Sequence, residues 1–357
     1  MKRIIFFVLL ISTLMVACTA LSDSEPLMVD EDQYTLGYEE FLTENGLLVM
    51  KMNKMLDEEH YRLRNVKFLN ENELLVMKQN KESGGTKKIE LVDINSGTVK
   101  QIYEGEFSED PGNHLSILDT NDNNILISGY EAALVISRDK AVFDEIKFER
   151  NIWANAFLPD GNLLCFDNGE VYLFDLNSRQ IQHLFEIKPD QGLVNCWFRI
   201  NSDGTEALFI TAKENYEIDV YKIDLLTRSF RLLNGKGSTA FWENENILLV
   251  QTGTISKYPV KLEIINQDDE VIAAKNYSSE ERIKILDIAE DLILVYVTDR
   301  SATSTYLQIL DSNLNEIYKI SDSGYVHSGT ICSSNRKIAY MVNSSLFIIN
   351  LDTQNKN

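Results

Sequence analysis

From about residue 65 to the C-terminus the chain repeats one pattern of polar and apolar positions. A cluster of turn-forming residues precedes a short apolar run; a loop, an alternating stretch ending in a polar turn, and a more polar stretch follow. The apolar runs are ELLVM (73–77), NILIS (124–128), NLLCF (162–166), EALFI (206–210), NILLV (246–250), LILVY (292–296) and KIAYM (337–341). The clusters before them, such as LNEN, TNDN, LPDG and NSDG, are rich in residues that tolerate left-handed backbone angles or bond their own turns, and so predict hairpins. The alternating stretches reach Asp93, Ser137, Asp175, Asp224, Asn266, Asp311 and Asn350, at intervals of 38 to 49 residues. Seven units with a period in the low forties predict an array of structural repeats.

Each unit reads as four short strands; in the third they are NAFLP, NLLCF, VYLFD and IQHLF. Four antiparallel strands per unit predict the blade of a β-propeller. The second strand is apolar on both faces, as a sheet covered on each side requires. The fourth is more polar, which suits an outer edge. The last unit ends in SLFIIN and LDTQNKN and lacks an apolar fourth strand, while GLLVMKMNK (46–54) is strand-like and has no partner of its own. The fold expected is therefore all-β, a seven-bladed β-propeller closed by an N-terminal strand. The competing reading is an amphipathic helix over residues 40–60, where Met and Leu also recur at helical spacing. The strand is preferred because an open outer edge invites aggregation.

The N-terminus reads MKRIIFFVLLISTLMVAC. Lys2 and Arg3 precede the largely apolar residues 4–16, shorter than the roughly 20 a spanning helix needs and suited to a signal-peptide core. Met15-Val16-Ala17-Cys18 resembles the lipobox of bacterial lipoproteins, with Met15 where Leu is usual. That resemblance implies cleavage before Cys18, acylation of its thiol, export, and attachment to a bacterial membrane through the N-terminal lipid. Two or three acyl chains anchor firmly, since each buried methylene contributes about 0.8 kcal/mol. The alternative is an ordinary signal peptide followed by a chance Cys. The expected organisation is a lipoprotein-type signal peptide (1–17), an acidic tether (18–40) and the propeller (41–357).

Charge narrows the partners. The formal net charge is −21, and losing residues 1–17 leaves about −23. Such a surface repels phosphate backbones, which excludes nucleic acid, and it gives anionic lipid no basic patch to attract. Cys165, Cys196 and Cys332 lie in or beside apolar strands without C-x-x-C spacing, as buried thiols do. A Cys165–Cys196 bridge stays open in an exported chain.

KIELVDINSGTVKQI (88–102) and VYLFDLNSRQIQHLF (171–185) resemble blades of bacterial YVTN/WD40-like propellers. LPDGNLL and NSDGTEALFI resemble the propeller repeats of the Tol-type translocation protein. The Gly-His and Trp-Asp signatures of true WD40 repeats are absent, as is the Trp-docking pattern of quinoprotein propellers. The resemblance implies a fold and brings no activity with it.

Candidate chemistry is sparse. His60, His114, His183 and His327 are too far apart for a metal motif, and no metal or cofactor is expected. His114 and His327 lie near the starts of innermost strands in blades 2 and 7, with blade 1 between them, and form a candidate pair at one channel mouth. A propeller-type glycan lyase would be expected to show a richer His, Arg and Tyr constellation. SDSGYVHSGT (321–330) lacks the G-x-S-x-G spacing of a nucleophile elbow. DTNDNN (119–124) and DSNLNE (311–316) begin like calcium loops but lack the Gly and the later Glu, so hairpin-turn chemistry is expected there. Trp153, Trp197 and Trp242 fall in the first strands of blades 3, 4 and 5, where packing between blades is expected. The second-to-third strand connections are long and polar in blades 1, 5 and 6 and tight in blades 3 and 7, which marks their face for binding.

These readings point to a lipid-anchored cell-envelope protein whose propeller binds a protein, peptide or glycan. The alternatives are an envelope glycan- or peptide-acting enzyme around His114 and His327, and a scaffold of an envelope complex.

Overall fold

Each predicted unit folds into one antiparallel sheet, and the seven sheets stand in a ring. The computed structural model describes residues 33–352 except 37, 44–46, 53–59, 83–85, 107–115, 121–123, 130–131, 138–142, 149–151, 168, 188–192, 214–217, 234–236, 253–258, 300, 302–303, 322–323, 333, 335 and 343–344. Three strands precede the first blade: β1 (Gln33–Thr35), β2 (Tyr38–Leu42) and β3 (Leu48–Met52). Blade 1 is β4 (Tyr61–Phe68), β5 (Glu73–Asn80), β6 (Thr86–Asp93) and β7 (Thr98–Glu106). Blade 2 is β8 (Ser116–Thr120), β9 (Asn124–Gly129), β10 (Ala132–Ser137) and β11 (Phe143–Lys147). Blade 3 is β12 (Trp153–Phe157), β13 (Leu163–Asp167), β14 (Glu170–Phe174) and β15 (Ile181–Glu186). Blade 4 is β16 (Leu193–Ile200), β17 (Glu206–Lys213), β18 (Ile218–Asp224) and β19 (Ser229–Leu232). Blade 5 is β20 (Gly237–Glu243), β21 (Asn246–Thr252), β22 (Pro259–Ile265) and β23 (Val271–Asn276). Blade 6 is β24 (Glu281–Ala289), β25 (Leu292–Asp299), β26 (Thr305–Asp311) and β27 (Glu316–Ser321). Blade 7 starts with β28 (Val326–Cys332), β29 (Lys337–Val342) and β30 (Ser345–Asn350).

Seven hydrophobic clusters fill the seven spaces between neighbouring blades, and the second strand of every blade feeds two of them. In β13, Leu163 and Cys165 pack toward blade 2, while Leu164 and Phe166 pack toward blade 4. In β25, Ile293, Val295 and Val297 face blade 5, and Leu292, Leu294 and Tyr296 face blade 7. Period-two alternation thus sends successive side chains into different interblade layers, which is why these runs are apolar at every position. Removing each fully buried Leu, Ile or Val from water contributes about 1.5–3 kcal/mol.

The closing strand is where the pattern placed it. β3 pairs antiparallel with β30, with Met50 opposite Ile348, and serves as the fourth strand of blade 7. Leu47 and Val49 pack toward blade 6, while Met50 and Met52 pack toward blade 1. The strand therefore ties the last blade to both neighbours.

Two strands were not foreseen. β1 pairs with β7 beyond the fourth strand of blade 1, and β2 pairs with β3 beyond that of blade 7. Residues 33–35 and 38–42 thus extend two sheets, although 33–40 were expected within the acidic tether. Leu36 lies buried between them, its N–H donating to the Gly97 carbonyl at 2.8 Å. The rest of the tether and the signal peptide, Cys18 included, lie outside the described residues.

The turns explain the Asp or Asn that closes the third strand in six of the seven blades, blade 2 having Ser137 there. Oδ1 of Asp93, Asp175, Asp224, Asn266 and Asp311 accepts two backbone N–H bonds from its own turn, at 2.8–3.0 Å. The Ser96, Ser178 and Thr227 amides hold the carboxyls of Asp93, Asp175 and Asp224 below their ordinary value. DSNLNE is one of these turns, with Asp311 also accepting from the Asn315 side chain at 3.0 Å. Of DTNDNN, residues 121–123 lie outside the described residues.

Candidate functional site

Every innermost strand carries the same irregularity. In each blade the pairing of the first strand with the second skips one residue. The skipped residues are Arg64, Leu118, Asn155, Val194, Ser238, Leu286 and His327. Such a β-bulge releases one residue from the ladder, bends the strand and re-aims the side chain. In β4 it brings both arginines onto one acceptor: Arg62 and Arg64 donate to Oε1 of Gln79. In β28 the released residue is His327.

The bonds between blades 6, 7 and 1 fix how these strands align. Val66 N–H reaches Ser328 Oγ, and Phe68 N–H reaches Thr330 Oγ1, both at 3.3 Å. Lys284 Nζ donates to the His327 carbonyl at 2.9 Å, and Asp287 accepts from Ile331 N–H at 2.9 Å. Numbers rise together in all three, so β24, β28 and β4 run the same way. They hold two levels of polar side chains, about three residues or roughly 10 Å apart along the strands.

The level toward the strand starts is cationic. Lys284, Arg64 and Arg62 lie near His327, and burial, then these three charges in that order, depress its imidazole below 6.5. Burial also lowers the Lys284 ammonium, and burial with Arg62 lowers the Arg64 guanidinium. Among the described residues no carboxylate pairs with Arg62, Arg64 or Lys284. Tyr325 is 60% exposed and sets its ring edge-on to His327 at 4.7 Å and to Tyr296 at 6.1 Å. Lys81, just past β5, donates to the His60 carbonyl at 2.7 Å, which places the second-to-third connections on this same face. Those connections span five residues in blades 1 and 6 and two in blade 7. The ends of β5 and β25, where the five-residue connections begin, therefore lie on the face of the cluster.

The second level contains a carboxylate of its own. Asp287 accepts from Thr330 Oγ1 at 2.8 Å and pairs with Lys67 at 3.4 Å, joining blades 6, 7 and 1. Arg199 of blade 4 lies over the Phe241 ring at 3.7 Å. Burial lowers its guanidinium to about 10 against the opposing pull of Asp287.

Of the residues singled out in the sequence, His327 stands in the cationic level, and His114 lies outside the described residues. Trp242 packs between blades, its Nε1 donating to the Arg199 carbonyl at 2.8 Å. Trp153 is half-buried opposite Phe166. Cys165 is a free buried thiol, so no bridge joins it to Cys196, and burial pushes its pKa up. Arg62, Arg64 and Lys284 went unnoticed in the sequence. Their only signal is the basic content of YRLRNVKF and ERIK, inner strands of a strongly acidic chain. Among the described residues no His, Cys, Asp and Glu group has the spacing to hold a metal ion, and no helix is long and apolar enough to cross a membrane.

No protein-family model matches the chain, and no curated protein matches it. Solved structures do. A chain of the mitotic checkpoint complex is 11% identical with TM-score 0.59, over 85% of this chain and 93% of that one. Raptor from Chaetomium thermophilum is 9% identical with TM-score 0.59, over 83% of this chain and 30% of that one. TolB from Acinetobacter baumannii is 14% identical with TM-score 0.48, over 71% and 64%. At these identities the likeness concerns architecture alone: the chain is a seven-bladed β-propeller closed by a strand from near its N-terminus.

Proposed function

We propose that this protein is a lipid-anchored binding protein of the bacterial cell envelope, exported and held to the membrane by acylated Cys18. Its propeller recognises a protein, peptide or glycan on the face where the innermost strands begin. The observation that carries the binding face is Tyr325. It is a large exposed aromatic beside His327, at the start of the innermost strand of blade 7. Exposed aromatics on a rigid scaffold supply contact area at little entropic cost. The signal-peptide pattern ending in Cys18 supports the anchor.

Two experiments test this reading. Cys18→Ala is expected to release the protein into the soluble exported fraction, and continued membrane partition refutes the anchor. A photo-crosslinking residue at position 325 is expected to capture a ligand in intact cells. The same residue at Leu226, 76% exposed in a turn between the third and fourth strands of blade 4, is expected not to. Equal capture at both positions, or none at 325, refutes the face.

A catalytic reading keeps one specific support. An imidazole held below its ordinary value is unprotonated at neutral pH, the state a general base requires.

A further inference from the structure

The two polar levels of blades 6, 7 and 1 differ in one respect. The deeper one contains its own anion, Asp287, against Lys67 and Arg199. The outer one gathers Arg62, Arg64 and Lys284 with no carboxylate of the described chain beside them. The chain has 55 acidic and 34 basic residues, which makes three neighbouring cations without a paired carboxylate among the described residues unusual for its composition. Bringing like charges together costs free energy, which a bound anion returns. The arginines are also held in place. Their common hold on Gln79 fixes two guanidinium forks whose remaining N–H groups are free to donate, and such forks match the oxygens of a carboxylate or phosphate. Lys284 is fixed by the His327 carbonyl. Tyr325 adds an exposed ring set edge-on to His327, the imidazole that these cations surround.

We infer that Arg62, Arg64 and Lys284 form an oxyanion subsite that takes the carboxylate or phosphate of an acidic sugar, whose ring packs on Tyr325. This rests on the binding face proposed above and names the chemistry of its ligand. The strongly negative remainder of the molecule disfavours long polyanions, so a ligand with isolated charges fits better than one with a continuous charge run.

The test is a titration of the full-length protein in detergent, followed through the His327 ring resonances. The probes are glucuronate, glucose 6-phosphate, glucose and tri-glutamate. Either sugar acid is expected to saturate the shift, and which one does so tells carboxylate from phosphate. Glucose is expected to give no saturation at the same concentration. Arg64→Gln and Lys284→Met are each expected to weaken the sugar acid about tenfold or more, because charge-assisted bonds are lost. Arg62→Gln, at an exposed position, serves if either variant fails to fold. The inference is overturned by glucose binding as tightly as the acids, by tri-glutamate binding where neither acid does, or by folded variants that keep affinity within twofold. Crosslinking at position 325 separates the two levels of the argument. Capture there without sugar-acid binding leaves the face intact and removes only the anion.

Discussion

Ring closure through β3 gives the most quantitative prediction. Met52 is fully buried in the layer between blades 7 and 1, and Val49 in the layer between blades 7 and 6. Met52→Ala removes three heavy atoms from a filled layer, for which about 2–5 kcal/mol is expected. Val49→Ala removes two methyl groups, about 1.6 kcal/mol of transfer free energy and roughly 2 kcal/mol with the cavity left behind. The two sites face different clusters, so the double variant should lose about 4–7 kcal/mol, near the sum. That is a large part of the roughly 5–15 kcal/mol by which domains are stable. Leu42→Ala, on the outermost strand and 68% exposed, is the control and should change stability by no more than about 0.5 kcal/mol. All three tryptophans lie in blades 3, 4 and 5, away from the seam. Urea unfolding followed by tryptophan fluorescence therefore reports whether the seam holds the whole ring. The Met52 and Val49 variants should lower the midpoint, with the slope unchanged. A midpoint equal to that of Leu42→Ala would refute the closure argument. So would a shift seen by circular dichroism while the tryptophan transition stays in place.

Two further outcomes follow from single residues. Gly97 has φ +70°, and a Cβ there would lie 2.5 Å from the Leu36 carbonyl oxygen, so Gly97→Ala should cost about 2 kcal/mol and expose the Leu36 amide to hydrogen exchange; unchanged protection at Leu36 would refute the contact. His327 faces Lys284 on β24, Arg62 and Arg64 on β4, and Tyr325, and its depressed pKa means that its contribution to stability is complete above about 6.5 and is lost as pH falls through the lowered value. An NMR titration should place its midpoint below 6.5, and Lys284→Met should raise it; a wild-type midpoint at or above 6.5 would contradict the clustering of cations.

The blade architecture was legible because its physics repeats. Turn residues of the Asp or Asn type, such as Asp93 and Asp175, recur in six of the seven units, and two-faced runs such as NLLCF recur in all of them. The closing strand was legible as an apolar segment without a partner beside a blade without a fourth strand. β1 and β2 were not, because QYT and YEEFL are short and β2 carries exposed Tyr38, Glu39, Glu40 and Leu42. A strand added to an outer edge need not bury a face, so it shows no alternation. His327 was found by its place at the start of an inner strand. Arg62, Arg64 and Lys284 were missed for two reasons. A charged residue every second position looks like a solvated face, and the bulges that re-aim Arg64 and His327 have no periodic signature. Only the closed ring sets blade 6 and blade 1 on either side of blade 7.

Because each bulge residue stands outside the ladder, its side chain can change without breaking a rung. The molecule thus has seven such places, one per blade, arranged like the numbers of a dial, and four of them hold Arg64, Asn155, Ser238 and His327. On the binding face proposed above, a lineage could change the residue at such a place, as between Arg64 and His327, while the strands that frame it are inherited unchanged.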